Sequence, residues 1–291
     1  MMSNRNLSPL RYPGGKGNFK SLIETSILTN GLDGCRYLEP FAGGAGAALG
    51  LLCEDTVSEI FLNDKDPAVF AFWVAVVRKT DVFCELIDEV PLTVDEWQRQ
   101  KEIYRRCDFS DPLKLGFAFF YLNRTNHSGI LKAGPIGGYD QTGNYKLDAR
   151  FNRVALQERV RRIGIYSDQI HLSNQEALDF LKEHFGSKTR SFYYIDPPYY
   201  IKGSRLYEKY FIQSDHEALA QFLSLHTDKN WLMSYDDVAE IDSIYCERLR
   251  YRIGLRYSVA GARGASEMLI ASSDCILPVR LQRKFAIQAV A

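Results

Sequence analysis

Asp196-Pro197-Pro198-Tyr199, followed by Tyr200, leaves directly from the apolar run Phe192-Tyr193-Tyr194-Ile195. Two prolines fix backbone torsions and remove two N–H donors, so this segment offers a carboxylate, rigid carbonyls and an aromatic face. Acceptors beside a stacking surface suit a substrate that presents an amino group on a planar ring, such as adenine. A ring amine is a poor nucleophile because its lone pair is delocalised. With Asp196 and the Pro197 carbonyl accepting its hydrogens, the nitrogen can pyramidalise and aim that lone pair at a methyl donor without a covalent enzyme intermediate. Tyr199 would then stack on the base, which must leave a duplex to reach such a loop. A proline-rich turn after a buried strand is the structural alternative, and it accounts for neither the acid nor the aromatic.

A second set of residues lies upstream. Tyr37-Leu38-Glu39-Pro40-Phe41-Ala42-Gly43-Gly44-Ala45-Gly46 reads as a strand entering a glycine-rich turn and then a small-residue helix over 47–53. Such a turn lets a ligand approach the backbone at the carboxyl end of a strand, although tight packing alone also places glycines there. Asn63-Asp64 ends the next apolar run, roughly 20 residues after the glycines, where an acid accepts hydrogen bonds from ribose hydroxyls. Together these favour a nucleoside-bearing cofactor. Asp64 has an alternative as the cap of the helix opened by Pro67, a position that Asp66 fits better. Further upstream, Arg11-Tyr12-Pro13-Gly14-Gly15-Lys16 joins an aromatic, two glycines and a cation. The phosphate-loop spacing Gly-x-x-x-x-Gly-Lys-Ser/Thr is absent. Lys16 is suited instead to a carboxylate such as that of S-adenosylmethionine, with Tyr12 covering part of the ligand.

The elements that must position these groups alternate between strand and helix, which predicts an α/β fold with a largely parallel sheet. Strands are expected over 36–41, 57–62, 169–172, 192–195, 231–233 and 268–271. Between Pro67 and about Gly164 the strand rhythm stops, and helices are expected over 68–78, 93–106 and 113–122. Turn chemistry then concentrates in 123–150, with Gly134-Pro135, Gly137-Gly138 and Thr142-Gly143-Asn144. The expected organisation is a catalytic domain of 1–66 and 167–291, interrupted by a mainly helical subdomain, 67–166, that carries a flexible loop or hairpin.

In these motifs and their order the sequence resembles the Dam-type, D12 class of adenine-specific DNA methyltransferases. Residues 11–16 look like the N-terminal motif, 39–46 like the glycine-rich motif and Asn63-Asp64 like the ribose-binding one. Asn174-Gln175-Glu176 is similar to the motif that follows, where the family more often has aspartate, and Asp196 to Tyr199 completes the set. The likeness extends over most of the chain, through Leu122-Asn123-Arg124 and the segments 231–236 and 267–270. It implies a Rossmann-like, S-adenosylmethionine-dependent methyltransferase fold with 67–166 as the target-recognition part. Cofactor contacts are implied for Tyr12, Lys16, Glu39, Phe41, Gly43, Asp64, Glu176 and Asp196, and the implied reaction is methylation of the exocyclic N6 amine of a flipped-out adenine in DNA. After Asn-Arg the loop reads Thr125-Asn126-His127-Ser128-Gly129-Ile130, which departs from GATC-modifying members, so that specificity does not carry over.

With 291 residues, 46% apolar and 25% charged, the chain has the composition of an ordinary globular protein. No apolar run approaches the roughly 20 residues of a membrane span, and the polar first residues lack a signal-peptide core, so a cytoplasmic protein is expected. Six scattered cysteines form no Cys-x-x-Cys pair, which argues against a zinc site or a disulfide framework. The formal charge of zero leaves nucleic acid open as a partner, provided that basic groups cluster locally. Arg124, Asn126, Lys132 and Lys146 are the expected DNA contacts in the 123–150 loop, with Gln141 and Asn144 beside them. Arg105-Arg106, Arg159 with Arg161-Arg162, and Arg248, Arg250, Arg252 and Arg256 could touch phosphates or form solvated faces. His127 reads as a loop hydrogen-bonding residue, with a general base as the alternative, Tyr207 and Tyr210 either close over the site or pack as ordinary aromatics, and Lys202 and Arg263 are candidate DNA or substrate contacts. Methylation of RNA adenine, or a DNA-binding relative without catalysis, are the alternative readings.

Overall fold

The computed structural model describes residues 7–11, 19–200, 211–255, 265–273, 275–276 and 287–290. Their strands are β1 Cys35–Glu39, β2 Val57–Asn63, β3 Ile170–Ser173, β4 Ser191–Ile195, β5 Asn230–Asp236, β6 Leu249–Leu255, β7 Ala265–Ala271 and β8 Ile287–Ala289. They form one eight-stranded sheet in the order β3-β2-β1-β4-β5-β7-β6-β8. From β1 the chain moves outward through β2 to β3, then returns to the other side of β1 for β4. The strand order therefore reverses between β1 and β4, the place where open α/β sheets receive ligands at their carboxyl ends.

β4 pairs in parallel with both β1 and β5, and β7, β6 and β8 continue from β5 in antiparallel fashion. Phe192 to Ile195 and Trp231 to Tyr235 are all buried, which is the near-continuous apolar pattern of strands covered on both faces. Two strands, β6 and β8, escape the sequence reading. β6 reads as a basic cluster because arginines alternate along it, yet Arg250 is buried against Asp242 and Arg252 pairs with Asp237 at 3.0 Å. Arg248 donates to the Ser224 carbonyl at 3.1 Å. These charges hold the sheet edge to its own chain. β5 also runs further than 231–233, carrying Ser234 and Asp236 into the sheet.

The chain divides into two compact units. The first comprises Met1–Asn18, Ala42–Gly50 and Phe61–Glu176, and the second Phe19–Phe41, Leu51–Ile60 and Ala177–Ala291. In the first, no strand interrupts residues 67–166. Helices α3 Pro67–Arg78, α4 Thr80–Glu89, α5 Val94–Arg106, α6 Pro112–Thr125 and α7 Arg153–Ile165 follow one another there; earlier in the chain, α1 Lys20–Thr29 belongs to the second unit and α2 Gly46–Cys53 is divided between the two at Gly50. Local chemistry starts them: Asp66, Thr93, Asp111 and Asn152 cap α3, α5, α6 and α7 by accepting a backbone N–H, and proline opens α3 and α6. Phe72, Phe83, Phe117 and Phe120 then interlock between α3, α4 and α6 with ring centroids 5.3–6.1 Å apart. Each buried aromatic of this kind contributes about 1.5–3 kcal/mol.

The second unit adds α8 Ala177–Phe185, α9 Gln213–Ser224 and α10 Ala239–Ile244. The 123–150 segment contains no extended strand, but an isolated antiparallel bridge pairs Asn126 with Pro135, with the His127 N–H donating to the Gly134 carbonyl at 3.1 Å and the Ile136 N–H to the Thr125 carbonyl at 2.8 Å. Its first three residues complete α6, and two 3-10 turns, His127–Gly129 and Leu147–Arg150, frame the rest. Among the described residues no helix is long and apolar enough to cross a membrane.

Candidate active site

In the first unit the glycine-rich turn is built on positive torsions, with φ at 45° for both Gly43 and Ala45. That geometry needs support, because an L-residue such as Ala45 adopts it at a cost. Asp64 provides it: Oδ2 accepts the Gly43 N–H at 2.9 Å and Oδ1 accepts the Asp66 N–H at 2.9 Å. From the other side the Trp73 indole donates to the Gly43 carbonyl at 2.9 Å. Helix capping falls to Asp66, whose carboxylate accepts the Ala68 N–H at 2.8 Å.

Asn63 is fully buried and clasps the 173–176 segment. Its Oδ1 accepts the Gln175 N–H at 2.9 Å and the Ser173 hydroxyl at 2.8 Å, while Nδ2 donates to the Gln175 carbonyl at 3.0 Å. Asn174 completes the junction by donating to the Asp64 carbonyl at 2.6 Å. Gly43, Asp64 and the Glu176 segment, far apart in sequence, are thus assembled in one place. Glu176 itself forms an ion pair with Lys65 at 2.6 Å, with both side chains about half exposed. Nothing in the pattern of residue types marks Trp73 or Lys65 for these roles.

In the second unit Glu39 ends β1 as a buried carboxylate that accepts the Tyr37 hydroxyl at 2.8 Å. Burial, then Glu39, Tyr194 and Asp196, push the Tyr37 phenol well above its ordinary range, so it remains a donor. Phe41 meets Phe211 edge-on at 5.4 Å, and Phe211 packs at 5.3 Å on the buried His216. His216 lies 5.0 Å from the Tyr200 ring and holds the Tyr235 hydroxyl through Nδ1 at 2.7 Å.

The Asp196–Tyr200 loop leaves β4 under restraint at three points. Ser234 donates its hydroxyl to Asp196 Oδ1 at 2.7 Å, the Tyr199 hydroxyl donates to Glu267 Oε1 at 2.8 Å, and the Tyr200 N–H donates to Asp236 Oδ1 at 2.9 Å. Asp236 and Glu267 sit directly opposite each other on β5 and β7, so one cross-strand pair holds two consecutive loop residues. Pro197 is buried, whereas Asp196, Pro198 and Tyr199 are partly accessible. The outcome is a rigid loop with a carboxylate and an aromatic ring fixed at the carboxyl end of a central parallel strand.

The residues expected to meet DNA fall into different surroundings. Lys132 and Lys146 are exposed, and Lys146 reaches the Gln141 carbonyl. Arg124 donates through Nε to the Arg150 carbonyl at 2.7 Å, and its pKa falls to about 9 through burial and the charges of Arg11, Arg159 and Arg150. Asn126 is fully buried and its amide is consumed inside the loop. It accepts the Trp97 indole N–H at 2.6 Å and donates to the Ile130 and Leu131 carbonyls at 3.0 and 3.2 Å. A side chain so engaged does not offer its edge to a base, and its burial was hidden because Trp97 is 29 residues away in sequence. His127 is exposed. Tyr12, Lys16, Lys202, Tyr207, Tyr210, Arg256 and Arg263 lie outside the described residues. No cluster of metal-ligating side chains occurs among the described residues.

Strand order, the switch point between β1 and β4, and an acid-proline-proline-tyrosine loop at β4 define a Rossmann-like α/β methyltransferase. The chain belongs to the D12 class of N6 adenine-specific DNA methyltransferases, whose family model matches residues 12–259, and it is an adenine-specific DNA methyltransferase. Among solved structures it is similar to the rRNA methyltransferase aviRa from Streptomyces viridochromogenes, at 14% identity and a TM-score of 0.36 over 91% of this chain and 88% of that one. No curated protein matches it.

Proposed function

We propose that the enzyme transfers a methyl group from S-adenosylmethionine to the exocyclic N6 amine of an adenine flipped out of duplex DNA, at specific sites, with Asp196, Pro197, Pro198 and Tyr199 as its catalytic loop. The observation that carries the reading is the restraint of that loop: a carboxylate, proline carbonyls and a tyrosine ring fixed together at the end of β4. Asp196 and the Pro197 carbonyl accept the amine hydrogens, which localises the nitrogen lone pair. Tyr199 stacks on the base, and its hydroxyl, held by Glu267, sets the ring's position. The N–C bond forms as the methyl's bond to sulfur breaks, and the proton then lost from the cationic nitrogen passes to Asp196 or to water, so no strong base is needed to deprotonate the amine beforehand.

The residues present fit S-adenosylmethionine by their chemistry. Ribose hydroxyls and an adenine amine are donors, and Asp64, Glu39 and Glu176 are acceptors; Gly43 lets the ligand approach the backbone. Phe41 offers an apolar face, and Tyr12 and Lys16 are assigned to the methionine end. When bound, the cofactor supplies an electrophilic sulfonium methyl group. Residues 1–66 and 167–291 are assigned to catalysis and 67–166 to target recognition.

DNA contact is assigned to Arg124, Lys132 and Lys146, with the arginines that surround Arg124 adding positive potential for phosphates. Asn126 is assigned to holding the loop. Long-read sequencing of DNA from a methylation-free host expressing the chain is expected to show N6-methyladenine within one short sequence, absent from cells expressing Asp196→Ala. Purified enzyme that methylates RNA as fast as duplex DNA, or an active Asp196→Ala protein, would overturn the reading.

A further inference from the structure

Ser234 lies fully buried in β5 between Met233 and Tyr235. A hydroxyl in such surroundings costs free energy unless its hydrogen-bonding capacity is used. Here both functions are used: Oγ is 2.7 Å from Asp196 Oδ1 and 2.8 Å from the Tyr194 hydroxyl. A carboxylate only accepts, so the single Ser234 proton points at Asp196. Tyr194 must then give its own proton to Ser234, and the chain runs one way, from Tyr194 through Ser234 to Asp196. The parallel register of β4 and β5, with Ile195 opposite Met233, brings the next residue of each strand, Asp196 and Ser234, within reach.

We propose that Ser234 is a positioning residue for methyl transfer, its hydroxyl, held in turn by Tyr194, fixing the direction in which the Asp196 carboxylate accepts the adenine amine. This rests on the assignment of Asp196 as the amine acceptor. The prolines set the backbone that follows Asp196, but the carboxylate still turns about its Cβ–Cγ bond, a broad two-fold torsion. A donor fixed on the neighbouring strand stops that rotation. Small errors in acceptor direction reduce the rate of transfer far more than they reduce binding.

Four variants test the proposal: Ser234→Ala, Ser234→Thr, Tyr194→Phe and the double change Ser234→Ala with Tyr194→Phe. Methyl incorporation from labelled S-adenosylmethionine into mixed genomic DNA of a methylation-free host gives kcat and KM, and thermal melting monitors folding. Ser234→Ala is expected to lower kcat roughly 10- to 100-fold, the range of a hydrogen bond to a charged group, with KM for DNA and cofactor within about twofold. Ser234→Thr, which keeps the hydroxyl, restores most of the loss. Tyr194→Phe costs less, and the double variant is expected to be close to Ser234→Ala alone, because the two hydroxyls belong to one hydrogen-bonded chain that ends on Asp196.

An unchanged kcat in Ser234→Ala, or losses that multiply in the double variant, overturns the proposal. Should Ser234→Ala fail to fold, Tyr194→Phe decides: a wild-type kcat overturns the proposal and a reduced kcat at unchanged KM supports it. An inactive Asp196→Ala beside a fully active Ser234→Ala removes only the positioning role, whereas an active Asp196→Ala removes the acceptor assignment itself.

Discussion

Replacing Asn126 by alanine separates a base-reading side chain from one that holds its loop together. The substitution removes one acceptor and two donors at a site with no solvent exposure. It leaves the indole N–H of Trp97, itself buried, without its 2.6 Å partner. An unpaired buried donor costs about 1–3 kcal/mol, and each lost amide hydrogen bond to the Ile130 and Leu131 carbonyls adds about 0.5–1.5 kcal/mol. The expected destabilisation is about 2–5 kcal/mol, because the carbonyls recover part of their loss by solvation. At about 2–4 °C per kcal/mol for a chain of this size, the melting midpoint falls by roughly 4–20 °C.

Circular dichroism melting of both proteins reads this directly. Trp97→Phe combined with Asn126→Ala sharpens the result, since removing both partners is expected to cost less than the sum of the single changes. Limited proteolysis should find the 127–146 segment cut faster in Asn126→Ala. A melting midpoint within about 2 °C of wild type, together with a changed target sequence, would refute the loop-holding role and return Asn126 to the bases.

Gly116 in α6 has no room for a side chain: a Cβ there would lie 2.5 Å from the Ala71 carbonyl oxygen on α3. Gly116→Ala is therefore expected to destabilise the helical unit by about 1–3 kcal/mol, measured by urea unfolding. Burial lowers the His216 pKa, outweighing Asp236 and Asp215, so the unfolded chain takes up this proton first. Its stabilising share is complete above about pH 6.5 and is lost as pH falls through the depressed folded value. Melting midpoints taken from pH 7.5 down to 5 should fall less steeply in His216→Gln than in the wild type. Tyr199→Phe keeps the stacking ring and frees Glu267 of its hydroxyl partner, so kcat is expected to drop by about tenfold or less, and Tyr199→Ala by far more.

Most of the candidate site could be read from residue types because its motifs are local. The acid, the two prolines and the tyrosine adjoin in sequence, and the turn from Glu39 to Gly46 carries its own backbone requirements. The alternative cap position at Asp66 was also legible, since a proline follows it at once. What escaped depends on partners far away along the chain. Ser234 is an ordinary polar residue until β5 is laid beside β4, and Asn126 is a polar loop residue until the Trp97 indole reaches it. β6 was concealed differently: its arginines resemble a surface patch, and only their pairing with Asp237 and Asp242 reveals a strand held to its own neighbours.

The Asn123 side chain holds Arg11 by both faces of one residue, accepting its N–H at 2.7 Å and donating to its carbonyl at 2.9 Å, across a separation of 112 residues. During synthesis the earlier partner must wait for the later one. At roughly 5–20 residues per second, that interval is on the order of 6–20 s, far longer than the microseconds in which a helix forms. Arg11 immediately precedes the Tyr12 to Lys16 segment assigned to the cofactor. Ribosome-bound chains should therefore close the Arg11–Asn123 junction only after α6 has emerged from the exit tunnel, which crosslinking between the two positions at successive chain lengths would report.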